Sequence, residues 1–426
     1  MQLVKGSRVV IAGGGPAGSF SALHLLKLSA EQQLDLEVVI FEPRDFHHPG
    51  PGGCNKCAGI LSSTLVRNLS SFGLQIPAPV IQSELHTYVL HFHGFQLPLN
   101  QPDPEKKIVS VYRGGGPRLG EQPFPASFDG WLLDQAVAMG ASLKRNRVQS
   151  ISLGSRPEIN ADGESWTADL VIVATGVNSR TPHVPGWAYK APRSKVMAQN
   201  EVLLNPGYLD SSVHILFEPP SSLVFGGIIP KGRYANISLL GDHLTSGDIS
   251  TFLGQDDLQG LFSGDPLLLC GCTPRVSVSP AEGYYADRLV AVGDAAVTRL
   301  YKDGIGSAYL TAQAAVRSAV QNGISQEDFK AGYQPICQRI AHDNLYGRLL
   351  FKLWSYSRRR VGFVNLWKQT IMAESELPAP KRVHTRALWS MFTGDESYRK
   401  IFFRSLFSLA AYGSMLRGAW SAWRRT

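Results

Sequence analysis

Gly13, Gly15 and Gly18 stand at the spacing G-x-G-x-x-G. With this spacing a chain can turn sharply out of a strand, lay bare backbone against a pyrophosphate and open a helix. Gly13 permits the turn, Gly15 the close approach to the anion, and Gly18 the close packing of helix on strand. Pro16 and Ala17 complete the turn, and the unbonded N–H groups of the helix start would face the phosphate. Glu42 ends the next apolar run, where it would accept hydrogen bonds from ribose hydroxyls. Alone, the glycine spacing also fits an ordinary glycine-rich turn; the flanking strands and the terminal acid select the nucleotide reading.

Other reactive side chains are less committed. The loop 43–59 holds His47, His48, Cys54, Lys56 and Cys57. Cys54-x-x-Cys57 has half the spacing of a zinc site, but no second pair follows. Cys270-x-Cys272 is a poor complement and both histidines precede the cysteines, so no metal is expected. Two packing thiols, or a cysteine beside a redox cofactor, are the readings that remain. Arg113-Gly114-Gly115-Gly116-Pro117-Arg118 lacks the G-K-[ST] ending of a P-loop and reads as a flexible cover or substrate loop with two cationic side chains, or as a plain surface loop.

The elements that would position these groups follow from hydrophobic patterning. Residues 8–12 and 38–41 read as buried strands, with a helix between them through Ala22, Leu25 and Leu26. A helix within 124–141 carries Asp129 in its first turn. The run 169–173 ends in Ala174-Thr175-Gly176, and the run 288–292 ends in Gly293-Asp294. Gly304-Ile305-Gly306 opens a long helix with a small-residue face of Ala308, Ala312, Ala315, Val316 and Ala319. A carboxylate such as Asp294 can hold a sugar-like hydroxyl chain, and the helix beyond it can aim its positive end at a developing anion. Short runs between 213 and 240 read as antiparallel strands of a separate sheet.

Composition narrows the class. The chain has 426 residues and no uninterrupted apolar run of about 18, the length a membrane-spanning helix needs. Met1 to Lys5 lead straight into the first strand, leaving no room for a signal peptide, and five cysteines then imply reduced thiols and a cytoplasmic location. From Ala331 onward, 16 Lys/Arg face 5 Asp/Glu, a formal +11, whereas the preceding residues carry 26 and 29, or −3. The excess positive charge thus belongs to the C-terminal quarter and points to an anionic partner surface.

Three motifs in this order, Gly13-x-Gly15-x-x-Gly18, Ala174-Thr175-Gly176 and Gly293-Asp294, resemble the flavoproteins built like para-hydroxybenzoate hydroxylase, and among them the geranylgeranyl reductases. The resemblance spans residues 7–330. It implies an α/β fold: a Rossmann-like FAD-binding domain (1–80, 128–185, 280–330), an antiparallel-sheet substrate domain (81–127, 186–279) and a basic C-terminal helical region (331–426). FAD would lie extended and non-covalent. Gly13, Gly15, Pro16, Ala17, Gly18 and Glu42 would hold its AMP half, and Ala174, Thr175 and Gly176 would pass near the adenine end. Gly293 and Asp294 would meet the ribitol or pyrophosphate, and Gly304, Ile305 and Gly306 the flavin N1/C2 carbonyl. The family's cysteine loop looks like Lys56-Cys57-Ala58-Gly59, which places Cys57, the candidate catalytic residue, with Ala58 and Gly59 beside the isoalloxazine. With no second nucleotide fingerprint, NAD(P)H or another reductant would meet the flavin transiently.

The implied reaction is reduction of a carbon–carbon double bond in an apolar isoprenoid or lipid by hydride from flavin N5. The alternatives are a flavin monooxygenase or halogenase, and a membrane-associated flavin electron carrier or redox sensor. Three departures from the family bear on this choice. The aromatic substrate strand is here Phe225-Gly226-Gly227-Ile228-Ile229-Pro230, so Phe225, Gly227, Ile229 and Pro230 would line the pocket, with open space at Gly227. The arginine three residues before the Phe128-Asp129 pair is missing, with Arg113 or Arg118 as substitutes. The His-x-x-Pro-Pro that follows Gly-Asp in hydroxylases of this class is replaced by 295–300, which speaks against oxygenation.

In the tail, Tyr398, Phe402, Leu406, Leu409, Gly413 and Leu416 fall on one face of a single helix, with Lys400, Arg404 and Ser408 on the other. This helix would pack on the flavin domain or dock peripherally on a membrane surface. Nucleic acid is not expected, since no recognised module is present.

Overall fold

Val9, Val10, Ile11, Val38, Val39, Ile40 and the run Leu170–Val173 are all but inaccessible. Strands apolar on both faces must lie inside a sheet covered on both sides. That sheet runs, in spatial order, Tyr285–Ala286, Leu289–Ala291, Leu170–Val173, Arg8–Ala12, Glu37–Phe41 and Ser142–Lys144. All its pairings are parallel except the first. The helices Pro16–Gln32 and Gly304–Gln321 pack against each other, and the ring of Tyr309 meets Phe20 edge-on at 5.2 Å. The computed structural model describes the chain except residues 57, 93, 206–210, 259, 263–265, 408 and 424–426.

The chain divides into two units. The first comprises Met1–Cys57, Tyr112–Lys195 and Pro274–Ala341, and the second Ala58–Val111, Val196–Thr273 and His342–Thr426. The parallel sheet belongs to the first. The main sheet of the second runs Ser194–Leu203, Tyr234–Gly241, Leu223–Lys231, Ser212–Leu216, Thr87–Phe92 and Phe95–Asn100. These strands are antiparallel apart from the parallel pair Ser212–Leu216 and Thr87–Phe92. On one face of this sheet Ala198, Val202, Ile228, Ala235, Ile237 and Leu239 form a core with Ile249 and Phe252 of the helix Gly247–Leu253.

The C-terminal helices of the second unit are organised around a single carboxylate. Glu374, inaccessible in the helix Val361–Ser375, accepts hydrogen bonds from His384 N–H (3.0 Å) and Nδ1 (3.0 Å), Thr385 N–H (2.8 Å) and Oγ1 (2.8 Å), and Ser414 Oγ (2.6 Å). These donors lie in the helices Val383–Thr393 and Leu409–Trp423, so one side chain ties three helices together.

Beyond Ser397 the described residues are helical over Tyr398–Phe407 and Leu409–Trp423. Tyr398, Ile401, Ala411 and Ser414 turn inward, whereas Leu409 and Leu416 are exposed. The apolar stripe read from the sequence therefore does not become one buried face.

Candidate functional site

The three glycine motifs converge at one end of the parallel sheet. Ala12 pairs with Val173, and Ala174 N–H donates to Ala12 O at 2.8 Å, which sets Gly13 against the Ala174-Thr175-Gly176 turn. A Cβ on Gly13 would lie 2.6 Å from Ala174 O, and its φ of +111° is closed to other residues. A Cβ on Gly18 would run into Gly13 O. Gly293 touches the same turn from the third strand, since a Cβ there would stand 2.7 Å from the Ala17 methyl. Pro16 occupies the first position of the helix, and Gly15 precedes it as the cap. The Thr175 hydroxyl oxygen is buried with no hydrogen-bond partner among the described residues.

Glu42 is buried and its acceptor capacity is full. It receives Gly14 N–H at 3.0 Å and Arg44 through N–H (3.1 Å), Nε (2.9 Å) and Nη2 (3.2 Å). A carboxylate offers about four acceptor sites. A ribose hydroxyl therefore reaches Glu42 only by displacing the Arg44 side chain, a residue that sequence reading passed over.

The glycine-rich loop is not a flexible cover, nor does it run over the surface. Residues 113–117 are buried against the loop that carries the histidines and Cys54: Gly50 N–H donates to Gly116 O (2.8 Å) and Gly115 N–H to His48 O (3.0 Å). A Cβ on Gly114 would lie 2.9 Å from Cys54 Cα, and one on Gly115 would collide with His47 O. The glycines thus serve close loop-on-loop packing. Of the two cations, Arg118 is exposed and Arg113 is buried.

Arg113 Nε lies 2.5 Å from Asp129 Oδ1, at the start of the helix Phe128–Ala138. Asn55 Nδ2 bonds the other oxygen of Asp129, and a Cβ on Gly15 would sit 3.2 Å from the same Nδ2. Arg113 also acts on Asp294: burial raises the Asp294 carboxyl, and the Thr298 hydroxyl and the Arg113 charge work the other way. A buried guanidinium is therefore held on Asp129, whose other oxygen is bonded by the Asn55 amide that borders Gly15. Of the two arginines offered for the missing family arginine, Arg113 is the one that reaches Asp129. Asn55 gave no signal in the sequence, because an isolated asparagine in a loop fits no motif.

At the last motif, Gly304, Ile305 and Gly306 open the helix Gly304–Gln321, whose cap is Asp303 at φ +55°. The Asp303 carboxylate folds over Gly306, where a Cβ would collide with it. The positive helix end thus already faces an anion from its own chain.

The other expected site residues belong to the second unit, except Cys57, which lies outside the described residues. Gly59 has φ +72° and accepts Val111 N–H at 2.7 Å; a Cβ there would collide with Val111 O, with Lys231 Nζ next at 3.2 Å. Ala58 precedes it. Phe225, Gly227 and Ile229 share one face of the main sheet, opposite Pro230. The open space expected at Gly227 is filled: a Cβ there would meet Ile229 Cδ1 at 3.3 Å and Ile215 Cδ1 at 3.5 Å. Two branched aliphatic side chains border the position where the family pattern has a ring. Cross-strand register adds polar groups to this face, with Gly227 opposite Ser238, Ser238 opposite Gln199, and Asn236 opposite Glu201. Gln199 Nε2 donates to Ser238 Oγ at 2.7 Å, and Lys231 Nζ lies 3.8 Å from Glu201 Oε1. Burial raises the Glu201 carboxyl against the pull of Lys231 and Asn236.

No protein-family model matches the chain, and no curated protein does. Solved structures do. A geranylgeranyl bacteriochlorophyll reductase-like protein from Thermoplasma acidophilum superposes with a TM-score of 0.65 at 16% identity, over 97% of this chain and 96% of that one. A flavoprotein/dehydrogenase from Cytophaga hutchinsonii gives 0.61 at 14%, over 97% and 100%. A flavin-dependent brominase gives 0.54 at 14%, over 99% and 100%. The fold is that of the FAD-dependent flavoproteins built like para-hydroxybenzoate hydroxylase, the group of reductases, hydroxylases and halogenases.

Proposed function

We propose that this chain is an FAD-dependent oxidoreductase that reduces a carbon–carbon double bond in an apolar substrate of isoprenoid or lipid type. The observation that carries the cofactor assignment is the convergence of three backbone turns with buried Arg113 and the unpartnered Thr175 hydroxyl. Gly13, Gly15 and the helix start would take the pyrophosphate, with Arg113 neutralising it; Asp294 would hold the ribitol hydroxyls. Bound FAD would supply hydride, and NAD(P)H or another reductant would replenish it. The likeness to a geranylgeranyl bacteriochlorophyll reductase-like protein supports both reduction and an apolar substrate.

A second reading, hydroxylation or halogenation of a ring bearing a polar group, is favoured by the buried polar row Gln199, Glu201, Asn236, Ser238 and Lys231 on that same sheet face. Anaerobic turnover separates the two. Dithionite-reduced holoprotein given a polyprenyl alkene should be reoxidised without oxygen as the saturated product forms. Reoxidation that needs oxygen, with substrate-dependent oxygen consumption, would establish the second reading.

A further inference from the structure

We propose that the C-terminal helices form a docking face for an anionic phospholipid surface, a proposal that does not depend on the flavin assignment. Its first support is where the acids go. Between Ala331 and Thr426 there are five, and four are engaged within the fold. Asp343 accepts the N–H groups of Tyr398 (2.9 Å) and Arg399 (2.8 Å), and Asp395 accepts Ser63 N–H (2.9 Å) and Oγ (2.8 Å). Glu374 is the three-helix hub, and Glu396 is buried beside Arg404 at 2.5 Å. Glu376 alone is exposed, against exposed Arg348, Lys352, Arg359, Arg360, Arg399 and Arg417.

The second support is the apolar ground between these cations. On the helix Gln334–Ser357, Leu345, Leu349, Leu353 and Tyr356 recur at helical spacing and are all exposed. The helix Tyr398–Phe407 packs beside it, with Tyr346 ring centroids 5.4 Å from Phe402 and 5.8 Å from Phe403. This sets Phe403 and Phe407 next to the leucine row. Phe407 is 67% exposed, Leu409 90% and Leu416 71%. Leucine and phenylalanine interleaved with arginine and lysine suit insertion at a headgroup–acyl boundary, where both kinds of side chain gain. A nucleic acid would gain from the arginines and from stacking on the exposed rings, but not from the leucines Leu345, Leu349, Leu353, Leu409 and Leu416. No helix among the described residues is long and apolar enough to cross a bilayer, so the contact is interfacial.

The test is flotation of the full chain with phosphatidylcholine vesicles, with and without phosphatidylglycerol. Binding is expected only with the anionic lipid and should fall as salt rises. Leu409→Ser with Leu416→Ser, and separately Arg399→Gln with Arg417→Gln, should each lower binding about tenfold while leaving the thermal melt unchanged. Equal binding to neutral vesicles, no binding, or wild-type binding by the leucine pair would overturn the proposal. So would a wild-type dimer that the leucine substitutions turn into a monomer, since the face would then belong to a second copy. Oligonucleotide binding that is sensitive only to the arginine pair would assign the charge to nucleic acid instead.

Discussion

Arg113 Nε and Asp129 Oδ1 stand 2.5 Å apart, although sixteen residues separate them in the chain. The pair is almost wholly inaccessible, and removing one partner from such a pair typically costs about 3–5 kcal/mol because the other charge stays buried. Arg113→Ala should therefore lower the melting temperature of the apoprotein and, separately, weaken flavin retention about tenfold or more. Arg113→Lys keeps the charge but loses the planar fork and should recover stability better than flavin affinity. Titration of the stripped protein with FAD checks both, and wild-type affinity in Arg113→Ala would remove the residue from the cofactor site.

Asp303 yields a prediction about potential rather than affinity. A carboxylate over the start of the helix Gly304–Gln321 opposes the negative charge that reduced flavin would acquire there. Asp303→Asn should raise the two-electron midpoint by about 30 mV, corresponding to about 1.4 kcal/mol. Dye-coupled reductive titration measures it. An unmoved midpoint would mean that the carboxylate does not sense the flavin.

Gly15 separates a cofactor effect from a folding effect. Its φ is −63°, open to any residue, and the nearest atom to an added Cβ is the Asn55 amide at 3.2 Å. Gly15→Ala should therefore fold, with at most a small shift of Asn55, yet lose most of its FAD affinity because the methyl occupies phosphate space. Gly13→Ala, by contrast, should fail to fold well, given φ +111° and Ala174 O at 2.6 Å. Purified Gly15→Ala that is folded and fully yellow would contradict the assignment.

Much of the parallel sheet was legible because Arg8–Ala12, Glu37–Phe41 and Leu170–Val173 are short runs rich in β-branched residues, the first followed by a glycine and the second by an acid. The strand Arg8–Ala12 falls where residues 8–12 placed it, and the helix Gly304–Gln321 begins at the glycine that signalled it. What was not legible depended on contacts distant in sequence. Arg113 meets Asp129 only because Gly114 and Gly115 let two loops lie backbone to backbone, and nothing local distinguishes those glycines from a mobile loop. Gly227 looked like a vacancy because the side chains that fill it come from the next strand and from two residues along its own.

Glu374 gives the last prediction, on pH. Burial pushes its carboxyl up, but hydrogen bonds from His384, Ser414 and the Thr385 and His384 backbone outweigh this and hold it down at about 2, against an ordinary value of 4.5. A depressed carboxylate contributes stability that is fully present above its unfolded value and is lost as pH falls through the folded one. The C-terminal helices should thus be stable at pH 6 and lose about 3 kcal/mol between roughly pH 4.5 and 2. Glu374→Gln should flatten that acid limb and cost stability at neutral pH, because the amide offers one acceptor oxygen where five donors converge. Urea midpoints of both proteins at pH 3 and pH 7 decide the matter. An equal drop in the two would move the acid sensitivity to another group, with Asp103 the next to test: it is hydrogen-bonded to Arg386 and also held down at about 2.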